Sequence, residues 1–296
     1  MMRAAQARGH EVFVCEQTTL RWAKNAVTAS ATRLSLTPDD SDWYRAHETA
    51  ERPLREFDAV LMRKDPPFDM EYVASTWLLS EAERQGAKVF NAPGAVRDHN
   101  EKFAIAEFSE FTVPSLVARS MQDLQGFIDE HRHVVLKRLD GMGGTGIFVL
   151  RHDDPNRNVI VETTSNFGTR SVMAQRYIPE IAQGDKRVLV IDGEIVPHCL
   201  ARIPKPGESR GNLAAGGRGV AQPVSKRDRE IAAALGPELA ARGLLLVGLD
   251  VIGDSLTEIN VTSPTGFQEI AEQSGFDVAR AFVDALERSL AAPRVA

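Results

Sequence analysis

The sequence predicts an α/β fold that passes into an α+β fold, and three observations predict it. Strand-like runs at Val12–Cys15, Ala59–Met62 and Val89–Asn91 bracket a helical segment from about Met70 to Gln85. That alternation is the pattern of a parallel sheet wrapped by helices. Further on, Val134–Lys137, Ile147–Leu150, Val159–Glu162 and Val172–Gln175 follow each other closely, which predicts antiparallel pairing. Two turn signals, Asp192-Gly193 and Gly253-Asp254-Ser255, lie between apolar runs and mark hairpins.

Size and charge set the frame. A chain of 296 residues has room for about two domains and a full core without a disulfide or metal staple. Net charge is −6, which argues against non-specific nucleic-acid binding. The two cysteines, Cys15 and Cys199, are far apart, so a disulfide scaffold and a cysteine-rich zinc site are excluded. Free cysteines suit a reducing cytoplasm. No run of about 18 apolar residues occurs and the start lacks an apolar signal core, so neither membrane insertion nor export is expected.

The elements follow in order. Ala4–Arg8 reads as the end of a helix, Gly9 as its stop and Glu11–Cys15 as a strand. The strand that ordinarily precedes such a helix is not in the sequence, so either the fold opens on a helix or the start lies too far downstream, with about twenty residues upstream. In the helix from Met70, the positions Val73, Trp77 and Leu78 share helical spacing, and Gly86 stops it. Residues 1–98 form the expected first domain. Asn100–Ser109 and Met121–His131 read as helices joined through Thr112-Val113-Pro114. Val188–Ile191 and Glu194–Ala201 are the strands about Asp192-Gly193. Residues Ile203–Pro223 form a long Gly/Pro-rich loop, expected to be a lid or a binding loop. A helix at about Lys226–Arg242, a hairpin over Val247–Asn260 and a helix at about Phe276–Leu290 complete the chain. Three units are expected: 1–98, 99–177 and 178–296.

Three constellations carry chemistry. In Asp140-Gly-Met-Gly-Gly-Thr-Gly146, the spacing Gly141-x-Gly143-x-x-Gly146 matches a dinucleotide fingerprint, but a strand (Ile147–Leu150) follows where a helix is required. No Gly-Lys-Ser/Thr follows either. A glycine-rich hairpin tip remains, able to fold backbone N–H groups over phosphates, or serving as a plain tight turn. Lys137 ends the strand before it and Lys102 opens a helix; each is a candidate phosphate cation or a solvated surface lysine. Next, the Gly253-Asp-Ser turn places Asp250 roughly opposite Glu258, and period two puts Asn260 on the face of Glu258. Such oxygens suit Mg²⁺, or they are the wet side of an amphipathic hairpin. Last, Arg187, Arg202, Arg210 and Arg218 cluster in and around residues 203–223, and from Arg202 to Arg218 basic residues outnumber acids four to one. That excess in an acidic chain fits carboxylate or phosphate ligands.

The order Lys102, Lys137, glycine-rich hairpin, Asp/Glu/Asn hairpin resembles the ATP-grasp superfamily. Longer strings resemble bacterial glutathione synthetase: Met62-Arg-Lys-Asp-Pro-Pro-Phe-Asp69, Leu139-Asp-Gly-Met-Gly-Gly144, Gly184-Asp-Lys-Arg-Val-Leu-Val190, Arg210-Gly-Asn-Leu-Ala-Ala-Gly-Gly-Arg-Gly219 and Glu258-Ile-Asn-Val-Thr-Ser-Pro-Thr265. The likeness covers nearly the whole chain.

The resemblance implies an N-terminal α/β substrate domain, expected here without its first strand, then an ATP-grasp fold with a small antiparallel lid subdomain. It implies joining of γ-glutamylcysteine to glycine, with ATP and Mg²⁺ (or Mn²⁺), through an acyl phosphate. Under it, Lys102 and Lys137 hold ATP phosphates, and Gly143, Gly144, Thr145 and Gly146 cover them. Gln175, Arg176, Tyr177 and Ile178 line the adenine pocket, and Asp185 reaches the ribose. Asp250, Glu258 and Asn260 hold the metal, and Arg187 stabilises the transferring phosphoryl group. Arg63, Arg202 and Arg210 clamp substrate carboxylates, Gly211 of the closing loop also meets substrate, and Thr262, Ser263 and Thr265 offer donors to it. It further implies a cytoplasmic homo-oligomer, a tetramer, with no nucleic-acid or membrane partner. Another ATP-grasp carboxylate–amine ligase shares the ATP residues, and Arg63, Arg202, Arg210 and the loop string separate the two. A non-catalytic ATP-binding module would lack metal ligands or Arg187, which are present here.

Overall fold

The computed structural model describes residues 1–208, 210–211, 213 and 216–291. The chain opens with helix α1 (Met2–Ala7) and strands β1 (Val12–Val14), β2 (Arg21–Ala23), β3 (Ala26–Leu36) and β4 (Tyr44–Pro53). These four strands make one antiparallel sheet in which β3 pairs with β1, β2 and β4. Then come β5 (Val60–Leu61), α2 (Met70–Arg84), β6 (Val89–Phe90) and α3 (Pro93–Asp98). β5 and β6 pair in parallel, Val60 beside Val89, as the helical crossover requires. Asp69 caps α2 by accepting from the Tyr72 N–H at 2.9 Å.

The run at Val12 is expected beside that parallel pair, but it pairs antiparallel with β3, Val12 opposite Leu34. β3 decides this. Its buried Val27, Ala29, Ala31, Leu34 and Leu36 cover one side of the unit, and Val27 and Ala29 pack on Leu79, Ala82 and Val89. β4 is polar and exposed along almost its whole length, so it has no apolar alternation to announce it.

The middle of the chain holds β7 (Ser115–Ala118), α4 (Met121–His131), β8 (His133–Arg138), β9 (Ile147–Arg151), α5 (Arg157–Ser165) and β10 (Val172–Arg176). The strands form an antiparallel sheet in the order β7-β10-β8-β9, and Leu124, Ile128 and Val161 from the two helices bury themselves on it. Val159–Glu162, expected as a strand, lies inside α5. Burial of Val161 between α4 and the sheet overrides the strand preference of its β-branched run. The expected helix Asn100–Ser109 is instead a 3₁₀ segment, Phe103–Phe111, broken at Phe108. Phe108 leaves helical geometry to enter the core.

The last part holds β11 (Asp185–Ile191), β12 (Glu194–Ile195), β13 (His198–Ile203), β14 (Arg218–Pro223), α6 (Lys226–Ala241), β15 (Leu246–Ile252), β16 (Ser255–Asn260), α7 (Phe267–Ser274) and α8 (Val278–Ala291). The sheet runs β14-β13-β11-β15-β16, with β12 hairpinned onto β11 through Asp192-Gly193. The expected loop Ile203–Pro223 is shorter than its sequence reads. Its last six residues form β14, paired along all of β13. Its residues 209, 212, 214 and 215 lie outside the described residues. α6 starts at a capping box, Ser225 with Asp228. The largest core lies between this sheet, α6 and the 3₁₀ segment, so it fixes strands β11, β15 and β16 from behind.

Candidate active site

A cleft of about 310 Å³ runs between the β8–β9 turn, the end of β10 and the open face of the last sheet. Its wall is a row of charges fixed by strand register. Arg187 on β11 stands opposite Asp250 on β15, and Asp250 opposite Glu258 on β16. Arg202 on β13 stands opposite Asp185, two residues from Arg187 and therefore on the same face.

Asp250 is 3 % exposed. It takes Arg187 Nε at 2.6 Å and Arg187 Nη2 at 3.2 Å, and Arg202 Nη2 at 2.8 Å. Burial opposes its ionisation, but the two guanidinium groups outweigh burial and hold the carboxyl far below the usual range. Arg202 also pairs with Asp185 Oδ2 at 2.5 Å. The other Asp185 oxygen is buried without a partner, and burial pushes this carboxyl up to about 6.

The two lysines converge from different elements. Lys137 crosses from β8 to Glu258 Oε1 at 3.3 Å and to the Thr257 carbonyl at 3.4 Å. Lys102 donates to the Gly141 carbonyl at 2.7 Å, pairs with Glu101 and lies 3.8 Å from Glu258. Burial opposes the charge on Glu258, and Lys102 and Lys137 reverse that, so its carboxyl falls below the ordinary value. Lys102 sits at the base of the glycine-rich turn and so fixes where that turn starts. Gly143, Gly144 and Gly146 take left-handed backbone, which side-chain-bearing residues avoid. Gly143, Gly144 and Thr145 line the cleft; Gly146 does not, and a Cβ added there would meet the Arg138 side chain.

Beyond the turn the cleft is apolar, lined by Val135, Ile147, Val149, Ile181 and Ile252. Gln175, Arg176, Tyr177 and Ile178 line this end. Gln175 is held by a bond to Ser115 Oγ at 3.1 Å, and the Tyr177 ring stacks on His133 with centroids 3.9 Å apart. At the opposite end, Thr262, Ser263, Thr265, Arg210 and Gly211 line the cleft. Arg210 pairs with Glu208 at 3.1 Å. Arg63 does not line it. Its Nη2 donates to the Pro264 carbonyl at 2.9 Å, so it braces the 262–265 turn from behind.

Glu101 was not a sequence candidate. It lines the cleft, and burial together with Glu258 pushes its carboxyl up. Its backbone carbonyl accepts from Ile259 N at 2.8 Å, which fastens the chain before Lys102 to β16. An acid beside a lysine at a helix start carries no such signal in sequence.

The oxygens of Asp250, Glu258 and Asn260 share the cleft. Asn260 Nδ2 donates to the Gly248 carbonyl at 3.3 Å, which leaves its Oδ1 for a cation. Among the described residues no three His, Cys, Asp or Glu side chains form a metal cluster. Two carboxylates and an amide oxygen are the donor chemistry that a hard cation takes.

The family model for the prokaryotic glutathione synthetase N-terminal domain matches residues 1–97, and the model for the ATP-grasp domain of the same family matches residues 101–275. The chain belongs to the prokaryotic glutathione synthetase family. It is 60 % identical over 289 residues to the glutathione synthetase of Ralstonia nicotianae, covering 98 % of this chain and 89 % of that one. It is 57 % identical over 294 residues to that of Nitrosomonas europaea, covering 98 % and 92 %. Among solved structures it resembles the D-cycloserine synthetase DcsG, with TM-score 0.64 and 18 % identity over 81 % of this chain and 86 % of that one. It also resembles the ATP-grasp ligase PsnB complexed with minimal precursor, Mg and ADP, with TM-score 0.61 and 19 % identity over 98 % and 93 %. At those identities the likeness is one of fold. Members of the family are ATP-dependent carbon–nitrogen ligases, and this chain is one of them.

Proposed function

We propose that the cleft joins γ-glutamylcysteine to glycine, giving glutathione, ADP and phosphate, with γ-glutamylcysteine, glycine and ATP as its small-molecule substrates. The observation that supports it most directly is the convergence of Lys102, Lys137, Asp250 and Glu258 with Arg187 and Arg202 on one sheet face beneath the glycine-rich turn. The cysteinyl carboxylate takes the γ-phosphoryl group of ATP, the glycine amine displaces phosphate from the acyl phosphate, and an amide forms.

In this reading Lys102 and Lys137 meet the phosphates as point charges, and backbone N–H groups of Gly143 to Thr145 cover them. The apolar end with Gln175 to Ile178 takes the adenine, and Asp185 faces the ribose. Asp250, Glu258 and Asn260 would hold Mg²⁺, or Mn²⁺, which would supply positive charge against the charge that develops on the phosphates. Arg187, held by Asp250, is aimed at the transferring group. Arg202 and Arg210 take substrate carboxylates, and Arg63 acts by bracing the turn that carries Thr262, Ser263 and Thr265. No side chain acts as covalent nucleophile, so catalysis rests on placement and charge. Division near residues 98 and 177 puts the acid substrate, the lid and the phosphate chemistry on successive units. The family resemblance supports a cytoplasmic homotetramer, which sedimentation would check. No helix among the described residues is long and apolar enough to cross a membrane.

The test is phosphate release with ATP, Mg²⁺, γ-glutamylcysteine and glycine, leaving out each in turn. Release that needs all four supports the reading. Release that proceeds with a different acid or amine, and not with these, overturns it.

A further inference from the structure

The cleft carries five carboxylates, and four of them are spoken for. Glu101 pairs with Lys102, Asp185 with Arg202, Asp250 with Arg187 and Glu258 with Lys137. Asp65 is the fifth, and among the described residues it has no ion pair. Its Oδ1 accepts a hydrogen bond from Ser263 Oγ, which fixes it beside the 262–265 turn, and among the described residues its second oxygen takes no hydrogen bond or ion pair. Arg63, two residues earlier, spends its donor on the Pro264 carbonyl. Asp65 and Pro66 are also the only described residues before Glu101 that line the cleft. Of the described residues before Glu101, Asp65 is thus the one charged side chain that lines the cleft, with Arg63 in electrostatic reach behind it.

A negative charge held beside the 262–265 turn and not paired with either phosphate lysine fits a cationic substrate group. Of the proposed substrates, γ-glutamylcysteine carries an ammonium at its γ-glutamyl end, remote from the carboxylate that reacts. The amine of glycine must lose its proton before it attacks, so a carboxylate suits it less as a resting partner. We infer that Asp65 recognises the α-ammonium of the γ-glutamyl group and is a specificity-determining residue for that substrate. The inference rests on the functional reading above.

The experiment compares γ-glutamylcysteine with N-glutarylcysteine, which lacks only the ammonium, in the full chain and in Asp65→Asn. A charge-assisted hydrogen bond to a substrate ion corresponds to about ten- to a hundredfold in kcat/KM. The unsubstituted chain should prefer γ-glutamylcysteine by that factor. Asp65→Asn should lose it, with the two acids nearly equal and the KM for ATP unchanged. Ser263→Ala, which removes the tether and keeps the charge, should retain most of the preference. Undiminished preference in Asp65→Asn overturns the inference. So does a change confined to the KM for glycine, or an equal loss for both acids reproduced by Ser263→Ala, which would mark Asp65 as a brace. Inactivity of the unsubstituted chain with γ-glutamylcysteine and glycine would instead overturn the functional reading, and this inference with it.

Discussion

Asp250 bridges two guanidinium groups with one carboxylate, and this makes it a structural group as well as a candidate metal ligand. Asp250→Asn keeps the shape but leaves Arg187 and Arg202, each less than a tenth exposed, facing each other with Asp185 alone to offset them. Breaking a buried charge set in this way costs about 3 kcal/mol or more. Glu258→Gln leaves Glu101 facing Lys102, but it strips the buried Lys137 of its one described ion pair, so it too should cost stability. Both should lower phosphate release at least about a hundredfold, the scale of removing one electrostatic contact to a transition state. Urea midpoints and steady-state release on both variants decide it. An Asp250→Asn chain as stable as the unsubstituted one would show that the arginines find other partners. At this scale the sequence was informative where strand period sets geometry. Asp250 opposite Glu258, with Asn260 on the same face, follows from one turn and a period of two. It was silent on Glu101 and Asp65, whose places depend on contacts between distant elements.

Elements were legible where local chemistry and burial agree. α2 and α4 begin at Asp69 and Ser120, whose side chains accept from N–H groups of the first turn, and both carry apolar faces. The parallel pair and the Asp192-Gly193 hairpin likewise follow from local signals. α5 was misread because its β-branched run favours a strand, and only its packing on α4 and the sheet makes it a helix. β3 and β4 were missed because small and polar residues carry little periodic apolar signal. Gly236 inside α6 shows the same conflict between local preference and contact. Propensity alone says that Gly236→Ala should stabilise the helix by about 1 kcal/mol. A Cβ there would sit 2.3 Å from the Gly193 carbonyl oxygen, where α6 crosses the β11–β12 turn. The obstacle is backbone and cannot swing aside, so Gly236→Ala should destabilise the protein by about 1–3 kcal/mol. A rise in thermal midpoint would refute the close approach. Asn91 is a second such joint. Its amide donates to the Leu246 and Val261 carbonyls, each at 2.8 Å, and accepts from Leu246 N at 2.9 Å. Asn91→Leu strands buried polar groups at the end of β6, and a loss of about 2–4 kcal/mol is expected by denaturant titration.

Across the whole molecule, the two family-matched parts meet at residues 98–100, and His99 stands in that junction. Asn100, next to it, donates to the Leu139 carbonyl at 3.1 Å and so ties the junction to the glycine-rich turn. The His99 ring is 6 % exposed and its Nε2 is buried without a partner. Burial is the main reason its pKa falls from 6.5 to about 4; Arg242 adds to the fall and Glu107 opposes it. The folded chain therefore resists a proton that the unfolded chain accepts from about pH 6.5 downward. Stability tied to His99 is complete above that pH, is lost progressively as pH falls toward 4, and changes no further below it. The loss over this window is roughly 3 kcal/mol at most. His99→Gln cannot take the proton. Urea midpoints for both chains between pH 7.5 and 4.5 should start with the unsubstituted chain the more stable or equal, and its lead should shrink or invert as pH falls. The carboxylates paired across the cleft titrate in both chains and cancel in the comparison. A gap that stays constant across the window would mean that His99 is protonated in the folded junction, and that burial there is weaker than its surroundings imply.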